Sequence, residues 1–185
     1  MKKIVIVSGS RAEFSLLKPL IRLLNSNNMF EVLFVVTGSH LNSIHNNSKN
    51  EIDSSKISIS SEIEIQINSD TNVGMAKSIG LGVISFADYF NSVNPDLLLI
   101  LGDRSEIFSV AIAASILKIP IAHIHGGEVT LGSLDEKMRH SITKLSSLHF
   151  TSTADYAKRL EYMGEQPDKV FNVVSLGIYH IKKTK

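Results

Sequence analysis

Residues His123 to Thr130, HIHGGEVT, place two histidines, two adjacent glycines and a glutamate within six positions, directly after an apolar run. Four chemistries are open to such a stretch: metal ligation, a cradle for phosphate, proton transfer, or a plain tight turn. The metal reading needs a third ligand from Glu128 or Asp103, and H-x-H spacing alone is weak support for it. If His123 and His125 share a strand, period-two alternation aims both at one face. Gly126 and Gly127 would let the backbone pass close to a bulky ligand. The plainer alternative is a buried His123 satisfied by backbone groups, with glycines that only shape the loop.

Three further motifs carry candidate chemistry. SGSRAEF (Ser8 to Phe14) puts a glycine and two serines at a helix start, where free amides and the positive dipole end favour an anion. Arg11 adds a fork suited to phosphate. No G-x-G-x-x-G and no P-loop pattern is present. LGDRSEIF (Leu101 to Phe108) offers Asp103 as a carboxylate at a crevice floor with Arg104 facing phosphate, or Asp103 as an ordinary helix N-cap. In DEKMRH, Asp135 and Arg139 stand four apart and can form an i,i+4 ion pair. Glu136, third after Ser133, reads as the returning half of a capping box, which leaves Asp135 the better candidate for chemistry.

These motifs need a scaffold that gathers them. KIVIV (Lys3 to Val7), VLFVV (Val32 to Val36), LLLIL (Leu97 to Leu101) and PIAHI (Pro120 to Ile124) are short apolar runs of the kind buried on both faces of a parallel sheet. Further strands are expected at Glu62 to Ile67, Leu148 to Thr151 and Val170 to Val174. Helical patterns occupy Phe14 to Asn25, Val73 to Phe90, Ile107 to Leu117, Ser133 to Leu145 and Thr153 to Met163. The alternation predicts a doubly wound, mainly parallel α/β sheet of the Rossmann type. In such sheets ligands bind outside the carboxyl ends of the strands. SGSRAEF, VTGSHL, LGDRSEIF and HIHGGEVTLGSLDE all fall there. The Asn- and Ser-rich stretch from Ser39 to Ser61 reads as a long mobile loop.

Composition narrows the classes. The 185 residues carry a net charge of +1 and no cysteine, which excludes disulfides and thiolate zinc sites and leaves no basic footprint for nucleic acid. No apolar run approaches a membrane span and the N-terminus does not read as a signal peptide, so the cytoplasm is the expected compartment.

Taken together and in order, SGSRAEF, VTGSHL, LGDRSEIFSVAIAA, HIHGGEVT and DEKMRHSITKLSSLHFTST resemble the hydrolysing UDP-N-acetylglucosamine 2-epimerases of the bacterial sialic-acid branch. The resemblance runs from the first strand to about Gly177. It implies a GT-B arrangement, two Rossmann-like domains across a cleft, of which residues 1–177 match the amino-terminal one and 178–185 a tail at the interdomain crossing. It further implies that Arg11, Ser15 and Arg104 contact the UDP moiety. Asp103 and Asp135 match catalytic acids, and Arg139 matches an active-site arginine.

At His125 the animal relatives read HIEGGE, with a catalytic glutamate. Acid–base work at that point therefore falls to His125, to Glu128, or to both. The implied reaction removes the C2 proton as UDP leaves C1, then adds water to give free N-acetylmannosamine, without metal or nicotinamide cofactor. The implied partners are a UDP-sugar and further copies of the chain, not nucleic acid or membrane. Three alternatives stay open. The chain is a non-catalytic truncated domain, the sugar is the 2,4-diacetamido-6-deoxy analogue, or a metal-dependent hydrolase uses His123, His125 and Asp103.

Overall fold

The computed structural model of the chain describes residues 1–42, 47–67, 69 and 71–178, with side chains throughout except at 47–50. In chain order the elements are β1 (Lys2–Ser8), α1 (Arg11–Asn25), β2 (Phe30–Thr37), α2 (Asn47–Ser54), β3 (Ser61–Ile63), α3 (Asn72–Val93), β4 (Leu97–Leu101), α4 (Ser105–Ile116), β5 (Ile121–Ile124), α5 (Leu134–Leu145), β6 (Leu148–Thr151), α6 (Ala154–Tyr162) and β7 (Val170–Asn172). Among the described residues the strands form one seven-stranded sheet in the order β3-β2-β1-β4-β5-β6-β7. Every neighbouring pair is parallel. This is the expected doubly wound Rossmann-like architecture.

Burial on both faces explains why the strand sequences are continuously apolar. Val5 and Val7 of β1 join Leu98, Ile100, Phe86, Phe90, Ile107 and Val110 in one core. Ile4 and Ile6 turn the other way, into a second core with Phe14, Leu17, Ile21, Phe34 and Leu99. Helix α1 therefore covers one face while α3 and α4 cover the other. The chain order reverses between β1 and β4, so a crevice opens at their carboxyl ends, the general binding position of such folds.

The stretch expected as a mobile loop from Ser39 to Ser61 contains α2, which corrects that expectation. Ile52 and Ile57 are 1% and 7% exposed and pack into the second core. The guanidinium of Arg22 also donates to the Ser55 carbonyl at 3.0 Å. Residues 43–46 of that stretch, and residues 179–185 of the expected tail, lie outside the described residues. Helix α1 begins at Arg11, earlier than the apolar stripe suggested, because the Ser10 hydroxyl caps the Glu13 amide. Among the described residues no helix is long and apolar enough to cross a membrane.

Candidate active site

The turn from β4 into α4 brings Asp103 to the crevice. It is not a helix cap, because Arg104 occupies the N-cap position of α4. The Asp103 carboxylate instead accepts a hydrogen bond from Arg139 of α5. Arg139 also donates to the Thr130 hydroxyl at 3.2 Å. The expected local pair between Asp135 and Arg139 is replaced by this long-range one, and Asp135 is left exposed at the start of α5. Burial works against the Arg104 charge, but Glu106, Glu13 and Asp135 outweigh it and raise the guanidinium's pKa. The capping box also fails to close: the Ser133 amide donates to the Thr130 carbonyl. Glu136 lies 3.7 Å from His140 instead.

The two histidines of HIHGGEVT part company. His123 is fully buried on β5, with Nε2 2.8 Å from the Gly102 carbonyl and Nδ1 3.4 Å from the Thr143 hydroxyl. Burial pushes its pKa down to about 3, so the ring is neutral and structural. β5 ends at Ile124, and His125 adopts a left-handed φ of 65°. That backbone turn breaks the two-residue alternation on which the shared-face expectation rested.

His125 Nδ1 lies 3.6 Å from Glu128, which is itself held by the Ser152 hydroxyl at 2.7 Å. The His125 amide donates to the Phe150 carbonyl, which fixes the turn. Burial is the largest influence on its imidazole and lowers the pKa, with Glu128 and Asp103 pulling the other way and Arg139 reinforcing it. The carboxylate neighbours therefore do not dominate. His125 Nε2 and Arg139 Nε and Nη1 are buried and make no hydrogen bond among the described residues. Such orphaned polar atoms are costly unless a bound group supplies the partner.

Packing alone already requires both glycines. A Cβ on Gly126 would lie 3.1 Å from His123 Nδ1, and one on Gly127 only 2.7 Å from the Tyr156 carbonyl. Gly127 also has φ of 78°. Gly127→Ala is expected to destabilise the fold by about 2–4 kcal/mol, combining left-handed strain with overpacking. Gly132→Ala is the control, since its φ is 80° but nothing lies within 4 Å of the added carbon; its cost should be about 1–2 kcal/mol, from strain alone. Denaturant unfolding of both variants checks this, and equal losses would remove the packing role.

At the reversal point a second cluster assembles from SGSRAEF and LGDRSEIF. Glu13 is 5% exposed, accepts the Gly9 amide at 2.7 Å, and has its carboxyl lifted to about 7, chiefly by burial. The equally buried Glu106 packs beneath Gly9 and Gly38. Arg104 spans the two, 3.3 Å from Glu106 and 3.9 Å from Glu13. Sequence reasoning left Glu13 and Glu106 out of the site. The S-x-x-E pattern from Ser10 to Glu13 could have flagged the first; nothing local points to their meeting. Because the Gly9 amide is already taken by Glu13, the expected anion nest at α1 is narrower than a bare helix terminus.

Arg11 and Ser15 sit one turn apart on α1, and both bond Glu51 of α2, at 2.8 and 3.1 Å. Beside Arg104 a cleft of about 590 Å³ opens, walled by Gly38, Leu41, Ile65, Thr71 and Glu106 among others. Among the described residues no group of three or more His, Asp or Glu is placed to hold a metal ion.

The structure is a doubly wound α/β domain with carboxylate, histidine and arginine side chains gathered at its strand ends. The chain belongs to the UDP-N-acetylglucosamine 2-epimerase family, whose model matches residues 22–185. It is 44% identical to the polysialic acid biosynthesis protein P7 of Escherichia coli, over 96% of this chain and 45% of that protein. Against the hydrolysing UDP-N,N'-diacetylbacillosamine 2-epimerase of Legionella pneumophila it is 38% identical, over 100% of this chain and 49% of that one. The chain thus spans about half the length of the curated relatives it matches. Its fold is also that of the UDP-GlcNAc-bound 2-epimerase of Neisseria meningitidis, with TM-score 0.82 at 24% identity, covering 94% of this chain and 47% of that one. The S. aureus MnaA structure with UDP agrees at TM-score 0.87 and 23% identity, covering 100% and 48%. The matched region is the amino-terminal half of a GT-B arrangement.

Proposed function

We propose that this chain supplies the amino-terminal half of a hydrolysing 2-epimerase that converts UDP-N-acetylglucosamine to N-acetylmannosamine and UDP. The observation that carries the reading is the convergence of Asp103, Arg139, His125 and Glu128 at the ends of β4 and β5, with unpaired buried nitrogens on Arg139 and His125.

In the elimination, a base takes the C2 proton, the C1–O bond breaks, and its electron pair leaves with UDP, giving a 2-acetamidoglucal. Water then adds across the double bond, hydroxyl to C1 and a proton to the opposite face of C2. Arg11, Ser15 and Arg104 offset the charge that develops on the departing diphosphate. Asp103 and Asp135 stabilise positive charge at C1, and His125 with Glu128 moves the C2 proton. Arg139 holds Asp103 in place and presents its free donors to the sugar.

Arg11→Ala tests the diphosphate half. It should weaken UDP binding by about 1.5–3 kcal/mol, the value of a charge-assisted hydrogen bond. Calorimetric titration checks this, and equal affinity in the two proteins excludes the role. A second sugar is favoured by a specific observation. Relatives from Legionella pneumophila and Campylobacter jejuni, 38% and 39% identical, are named for diacetylbacillosamine, so the UDP-linked 2,4-diacetamido analogue is the alternative substrate.

A further inference from the structure

Glu51 is outside every motif that suggested chemistry, yet it engages both α1 side chains assigned to the diphosphate. Its Oε2 accepts from Arg11 Nε at 2.8 Å and its Oε1 from the Ser15 hydroxyl at 3.1 Å. A carboxylate gripping an arginine and a hydroxyl through separate oxygens presents the same acceptor chemistry as a phosphate group. The hydrogen bond from Arg11 holds Glu51 below the usual carboxylate range, so it is ionised at neutral pH.

The backbone beneath it is fixed. Ile52, the next residue, is 1% exposed in the second core, and Ser55 is tied to Arg22. The Glu51 side chain is 26% exposed and its partner Arg11 68%, so the pair borders solvent into which Glu51 can turn. A diphosphate arriving at Arg11 would meet this negative charge at contact distance, where like charges repel.

We propose that Glu51 is a resident anion that occupies Arg11 and Ser15 until the diphosphate displaces it. It thereby lowers the affinity of the site for UDP and speeds UDP release, by returning to Arg11 as the product departs. The inference rests on the reading of Arg11 and Ser15 as diphosphate ligands.

The test is UDP titration, by calorimetry, of the protein carrying this chain as wild type, Glu51→Gln, Arg11→Ala and the double variant. Glutamine keeps an acceptor oxygen but no charge. Glu51→Gln should tighten UDP about two- to fivefold, the scale of a partly exposed ion pair. The gain should vanish on the Arg11→Ala background, as expected for residues that share one contact. Should Arg11→Ala weaken UDP while Glu51→Gln leaves it unchanged or weaker, Glu51 is a positioning residue and the displacement proposal is overturned, with the diphosphate reading intact. Should Arg11→Ala bind UDP as tightly as wild type, the diphosphate reading fails and the displacement proposal with it.

Discussion

Asp103→Asn is expected to lower turnover about 10²- to 10⁴-fold, the range lost when a charged or proton-transferring group leaves a reaction centre. The fold should survive. The amide that replaces the carboxylate keeps an oxygen toward Arg139, and the Asp103 side chain is 18% exposed at a strand end rather than packed in either core. The guanidinium of Arg139, 8% exposed, loses its counter-charge, so a loss of about 1–3 kcal/mol of stability accompanies the change. Initial rates and thermal unfolding on the same preparations separate the two effects. Wild-type turnover in the variant would reduce Asp103 to a structural partner of Arg139.

His125→Ala should cost a comparable factor, and the pH profile shows why. Neutral imidazole is the form that accepts a proton. Burial lowers the His125 pKa against the opposing pull of Glu128 and Asp103. The neutral form therefore persists to lower pH, and kcat/KM should fall only as pH drops beneath the ordinary histidine value of about 6.5. His125→Glu, the residue of the HIEGGE relatives, should retain appreciable activity with the acid limb moved toward carboxylate values. Glu128→Gln should be nearly as damaging as His125→Ala if the two share the proton. If Glu128 serves only to anchor the loop through Ser152, it should be nearly silent. An unchanged profile and rate in His125→Ala would return the histidine to packing.

The sheet was legible because burial on both faces leaves no polar positions in KIVIV or LLLIL, and such runs have few other places to go. The strand-end location of the motifs followed from that alone. What failed were inferences from local rules. The i,i+4 rule paired Arg139 with Asp135, whereas the observed acceptor, Asp103, stands 36 residues away in sequence. The alternation rule aimed His125 with His123, but β5 ends at Ile124 and His125 takes a positive φ, so the rule does not reach it. Helix α2 was masked by the polar average around it, although Ile52, 1% exposed, gives it a buried side. The Glu13–Arg104 and Arg11–Glu51 contacts are products of tertiary approach, with no periodic trace in the chain.

The proposed reaction is elimination at C2 followed by hydration. Its most direct test is proton NMR of UDP-N-acetylglucosamine, and in parallel its 2,4-diacetamido analogue, turned over in deuterium oxide by the protein carrying this chain. Elimination and hydration give UDP and a free sugar of inverted configuration at C2, with one deuterium at that carbon, formed about 10²- to 10⁴-fold more slowly by Asp103→Asn. Release of UDP with the C2 proton and configuration retained would mean simple hydrolysis. Formation of an intact UDP-linked epimer would mean a non-hydrolysing reaction, and either result overturns the proposed function.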